Sequence, residues 1–100
     1  MFNKLRTVVY HANDLSAAKE WYTALTNVQP YFDEPFYVGF NINGFELGLD
    51  PDMTGIETGN HHTVYWDVNE IREAFNKAVQ LGATVVQEIT NVGGSIEVAT

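Results

Sequence analysis

One hundred residues suffice for one compact domain, and a composition of 45% hydrophobic and 13% aromatic side chains suits a packed core rather than a disordered chain. A formal net charge of -8, with five Lys and Arg in all, argues against nucleic acid and anionic membrane surfaces as partners. No cysteine is present, the start MFNKLRTVVY lacks a signal-peptide pattern, and no apolar run approaches the roughly 18 residues of a membrane helix, so a cytoplasmic protein is expected.

Thr7–Ala12 is rich in Val, Thr and Tyr and predicts a strand. Asn13-Asp14 then offers a side-chain cap for a helix over Leu15–Thr26, whose apolar stripe is Leu15, Ala18, Tyr22 and Leu25. Val28–Asp33 predicts an edge strand interrupted by Pro30. Phe36, Val38, Phe40 and Ile42 alternate with Tyr37, Gly39 and Asn41. After Asn43-Gly44, Phe45, Leu47 and Leu49 alternate with Glu46 and Gly48. Asn-Gly between two alternating runs predicts a tight hairpin, because both residues tolerate positive φ. The turn-rich stretch DPDMTGIETGN, 50–60, reads as a linker. Thr63–Val68 predicts a second strand, Glu70–Leu81 a second helix ended by Gly82, and Ala83–Ile89 and Ser95–Thr100 two further strands around a turn at Asn91–Gly94.

The two halves repeat. TVVYHANDLSAAKEWYTAL aligns with TVYWDVNEIREAFNKAVQL at an offset of 56, over 19 positions without a gap. Thr7 falls on Thr63, Asn13 on Asn69 and Asp14 on Glu70, and the first helical stripe becomes Ile71, Ala74, Ala78 and Leu81. A repeated strand-helix unit with the same core stripe is a stronger signal than the identities alone. The chain therefore divides into a first module, 1–52, a linker, 53–60, and a second module, 61–100, in which a fourth strand is missing.

NDLSAAKEWYTAL and VNEIREAFNKAVQLGATVV resemble the first- and second-helix patterns of the vicinal oxygen chelate superfamily, which includes glyoxalase I, bleomycin-resistance proteins and extradiol dioxygenases. The resemblance implies an α+β fold. Paired βαβββ modules would form a partly closed sheet around a cavity, with helices outside, and homodimers are common. The family's metal ligands lie near the start of each module's first strand and on each module's last strand. Carried over by the helix match, those positions fall on Thr7, Thr63 and Glu46, with the fourth beyond Thr100. Threonine is a poor ligand for divalent metals that prefer imidazole and carboxylate.

Strand alternation supplies the rest. His61 shares its face with Thr63, Tyr65 and Asp67, which should line the cavity, whereas His62 shares its face with Val64, Trp66 and Val68, which should pack under the helix. Two adjacent histidines on an extended strand point to opposite faces, so an ion held by both would need a bend at Asn60–His62. Solvated histidines at a strand entrance and a polar Glu46 on a half-open sheet explain these residues without a metal. The expected cavity face comprises Thr7, Val9, Tyr37, Asn41, Glu46, Thr63 and Tyr65, with His61 at its rim. This pattern reads first as a degenerate metal site in a protein that binds a small organic ligand, an antibiotic or a metabolite, and no metal cofactor is favoured. The acidic surface biases encounter toward cationic ligands. A metal-dependent lyase, isomerase or dioxygenase using Zn, Ni, Mn or Fe at Glu46 and His61 is the alternative enzyme reading. A third is a non-catalytic dimer module.

Overall fold

The computed structural model describes residues 1–59 and 62–100, which fall into two compact units, 1–59 and 60–100. In the first unit, Asn43 and Gly44 adopt φ of 49° and 91°. Positive φ at both central residues matches the right-handed twist of the flanking strands. The turn is braced by Asn41, whose Oδ1 accepts the Gly44 N–H at 2.8 Å. It fixes the register of β3 (Tyr37–Ile42) against β4 (Phe45–Asp50): Ile42 opposite Phe45, Phe40 opposite Leu47, Val38 opposite Leu49. Because side chains alternate across a strand, this register gathers Val38, Phe40, Leu47 and Leu49 on one face, where all four are buried. Each such side chain contributes roughly 1.5–3 kcal/mol of hydrophobic stabilisation.

β1 (Thr7–His11) lies parallel to β4 and β2 (Phe32–Glu34) antiparallel to β3, giving the order β1-β4-β3-β2. The apolar face is covered by α1 (Leu15–Thr26), through Leu15, Ala18 and Tyr22, and Tyr10 of β1 stacks on Tyr22 with centroids 5.8 Å apart. Asp14 caps α1 by accepting the Ala17 N–H at 3.0 Å. Asn27 closes it in the left-handed conformation, donating its N–H to the Thr23 carbonyl. The expected strand over Val28–Asp33 is displaced to Phe32–Glu34. Pro30 has no N–H to give to a ladder, so pairing with β3 begins beyond it, with Tyr31 N–H to Gly39 carbonyl at 2.9 Å.

In the second unit, α2 (Ile71–Gln80) starts 56 residues after α1, and Glu70 caps it by accepting the Glu73 N–H at 2.8 Å. Ile71, Ala74, Ala78 and Leu81 are its half-buried stripe, together with Phe75. Gly82, at φ 98°, ends the helix as expected. The hairpin of β5 (Thr90–Gly93) and β6 (Ile96–Val98) follows, with a register shift between Asn91 and Gly93, and Arg72 of α2 pairs with Glu97 at 3.5 Å.

Two expected strands do not form. Residues 63–68 carry no strand in the described structure, and Val64, Tyr65, Trp66 and Val68 are all exposed. A strand exists only as part of a ladder. β1 has β4 beside it, whereas the described residues of the second unit supply only the short β5–β6 hairpin. With no ladder there is no pleat to sort Thr63 and Tyr65 from Val64 and Trp66. Ala83–Ile89 likewise forms no strand. It is tied to the chain's last described residue by Val86 N–H and Gln87 N–H to the Thr100 carbonyl, and by Thr100 N–H to the Gln87 carbonyl. The turn expected at Asn91–Gly94 shifts with it: β5 runs to Gly93, and the chain reverses at Gly94 and Ser95.

Candidate functional site

Opposite its core, the first sheet presents a polar and aromatic face. Its register places Thr7 beside Glu46 and Asn41 in one row, Val9 beside Gly48, Gly39 and Phe32 in the next, and His11 beside Asp50 toward the far end. Glu46 is the hub. Its Oε1 accepts hydrogen bonds from Thr7 Oγ1 at 2.8 Å and Arg6 Nη1 at 3.0 Å, and its Oε2 from Tyr31 OH at 2.8 Å and Tyr37 OH at 3.2 Å. The carboxylate thus ties together β1, β3, β4 and the residues that lead into β1 and β2. Its side chain is 11% exposed, against 72% for the Arg6 side chain.

Two glycines make this arrangement possible. Gly39 and Gly48 face each other across the β3–β4 ladder. A Cβ on Gly48 would overlap the Tyr37 hydroxyl and come within 2.6 Å of Cζ, so the Tyr37 ring crosses directly above that backbone to reach Glu46. A Cβ on Gly39 would lie 2.8 Å from Glu46 Oε2 and 3.1 Å from Tyr31 Cε1. The tyrosines therefore rest on bare backbone, and Phe32 abuts Tyr37 edge-on with centroids 6.1 Å apart. Phe36 meets Phe32 at 5.9 Å. Tyr31 and Phe36 are largely exposed.

Electrostatics follow from the contacts. Burial pushes the Glu46 carboxyl upward, but the hydrogen bonds from Tyr31, Thr7 and Tyr37 and the charge of Arg6 outweigh it, leaving the group below its ordinary value. Desolvation, and then the adjacent Glu46 charge, raise the Tyr37 phenol to about 12. The Tyr31 phenol is raised chiefly by its hydrogen bond to Glu46.

Of the residues expected at the site, the fold brings Thr7, Tyr37 and Glu46 into one hydrogen-bonded cluster and places Val9 on the same face. Asn41 shares that face but spends its carbonyl on the hairpin turn. Thr63 and Tyr65 belong to the second unit and are exposed, and His61 lies outside the described residues. Arg6, Tyr31 and the paired glycines were not anticipated. The glycine pair was readable: counting back from Asn43-Gly44 puts Gly39 opposite Gly48 on the face away from the core.

A divalent metal fits Glu46 poorly. A carboxylate offers about four lone-pair positions, and all are taken by protein donors. An incoming ion would have to displace a donor and share the carboxylate with a guanidinium. Among the described residues no group of three or more His, Cys, Asp or Glu side chains is placed to hold an ion.

The family model of the Glyoxalase/Bleomycin resistance protein/Dioxygenase superfamily matches residues 4–96, and the chain belongs to that superfamily. Solved structures agree on the fold. A glyoxalase/bleomycin resistance protein/dioxygenase family enzyme from Burkholderia phytofirmans PsJN aligns at 15% identity and a TM-score of 0.76, over 90% of this chain and 82% of that one. A hypothetical protein from S. aureus aligns at 24% identity and 0.71, over 99% and 86%. Lactoylglutathione lyase from Agrobacterium tumefaciens aligns at 17% identity and 0.62, over 87% and 75%. Comparison with curated protein sequences gives no match. No described helix is long and apolar enough to cross a membrane.

Proposed function

We propose that this chain is a small-molecule-binding member of the superfamily in which Glu46 is a structural anchor and not a metal ligand. The binding face lies wholly in the first unit. It comprises the Tyr31, Tyr37, Phe32 and Phe36 rings above the glycine floor, with Thr7, Val9 and Arg6 beside them. The observation that carries this reading is the fourfold-donated Glu46 carboxylate. A carboxylate with every lone pair committed orients its partners and has no vacant position to offer an ion. Aromatic walls with a few fixed polar groups suit an organic ligand held by stacking and apolar burial.

The test pairs elemental analysis of purified, dialysed protein with titration of a neutral planar probe, 2-naphthamide, followed by amide NMR. Saturable shifts at Tyr31, Tyr37, Gly39 and Gly48, unchanged by a chelator, are expected. One equivalent of metal retained by the wild type and lost in Glu46→Gln would overturn the proposal.

A further inference from the structure

The Glu46 cluster leaves one resource unspent. Arg6 uses Nη1 twice, toward Thr7 Oγ1 and Glu46 Oε1, both at 3.0 Å. A guanidinium carries five N–H donors in a planar fork. The two Nη1 contacts, together with a hydrogen bond to the Tyr31 hydroxyl, use at most three of the five, and the side chain is 72% exposed. Thr7, Glu46 and Tyr31 together orient the guanidinium and leave at least two N–H donors for a ligand. Glu46 neutralises the charge pairwise, and the remaining N–H donors carry the positive end of the pair.

The aromatic shelf begins one carboxylate away. Arg6 binds one oxygen of Glu46 while Tyr31 binds the other, so the fork and the phenol flank the same group. The other charged groups that the register puts on this face lie toward its Tyr37 end, away from Arg6. His11 Nδ1 lies 2.9 Å from the Asp52 carbonyl, Asp50 accepts the Asp52 N–H at 2.9 Å, and Glu34 pairs with Tyr37 at the far end of β3.

We propose, building on the binding-face reading, that this face receives a flat aromatic carboxylic acid. The acid group takes the remaining N–H donors of Arg6 and the ring lies over Tyr31 and Tyr37. Planar two-point hydrogen bonding is what distinguishes a guanidinium from a bare cation, and it matches a carboxylate. The global charge of -8 points the other way, toward cationic ligands. Screening confines that field to encounter, whereas the oriented fork acts at contact.

The experiment titrates the full chain with three probes of one shape: 2-naphthoate, neutral 2-naphthamide and cationic 2-naphthylmethylammonium. Naphthoate should bind roughly tenfold more tightly than naphthamide, the ratio sustained by one charge-assisted hydrogen-bonded pair at an exposed site. Added salt should narrow that gap. Arg6→Gln should bring the naphthoate-to-naphthamide affinity ratio to about one, with near-UV circular dichroism confirming the fold of the variant, and a ratio still near ten in that variant would overturn the role of Arg6. Equal affinity for naphthoate and naphthamide would overturn the aromatic-acid assignment alone. Tighter binding of the ammonium probe would overturn it in favour of cations. Failure of all three probes to bind would sink the binding-face reading itself.

Discussion

Gly48→Ala isolates the packing device on which the site rests. The added Cβ would overlap the Tyr37 hydroxyl and crowd Cζ at 2.6 Å, and the backbone beneath belongs to the buried centre of β4. The side chain must yield, because the strand cannot. Tyr37 then loses its hydrogen bond to Glu46 and its edge contact with Phe32. A hydrogen bond to a charged acceptor contributes about 1.5–3 kcal/mol. Replacing a strand glycine by alanine returns about 0.5–1 kcal/mol. The balance is a loss of roughly 1–2 kcal/mol, and in a domain of this size each kcal/mol lowers Tm by about 4–8 °C. Thermal unfolding by circular dichroism measures it. Tyrosine ultraviolet titration supplies a second reading, since the phenol held at about 12 should fall toward 10.0 once expelled. The double variant Tyr37→Ala/Gly48→Ala should be no less stable than Tyr37→Ala alone, because the obstacle is gone. Additive losses in the double variant, or an unchanged phenol titration in Gly48→Ala, would refute the reasoning.

Three further outcomes follow from the contacts. Glu46 titrates below 4.5 in the folded chain, so its stabilising contribution is complete above 4.5 and is lost as pH falls through the lower folded value. Glu46→Gln should therefore flatten the acid limb of a stability–pH curve, measured by urea unfolding. The Tyr22 and Tyr37 phenols, raised from 10.0 to about 12, have the opposite dependence. Their contribution is complete below pH 10, is lost as pH rises toward 12, and should shrink in Tyr37→Phe. Asp14→Ala removes the acceptor of the Ala17 N–H and should cost about 1 kcal/mol by chemical denaturation, with Asp14→Ser largely restoring it.

The residues alone determined whatever depends on local chemistry and periodicity. Asn43-Gly44 dictated a hairpin, and the hairpin dictated the register that buries Val38, Phe40, Leu47 and Leu49 on one face and leaves Thr7, Tyr37 and Glu46 on the other. Asp14 and Glu70, 56 residues apart, announced two helix starts through the side chains that cap them. Tertiary structure decided what depends on a partner. Thr63–Val68 carries the same strand-favouring residues as Thr7–Ala12, yet among the described residues only the latter contributes a strand to a sheet. The fate of Glu46 was likewise not written in its own position. A carboxylate on a sheet face is a ligand or an anchor according to who reaches it, and here Arg6 arrives from ahead of β1 and Tyr31 from the residue just before β2. Propensity and alternation are properties of one segment, whereas ladders and saturated carboxylates are properties of several segments meeting.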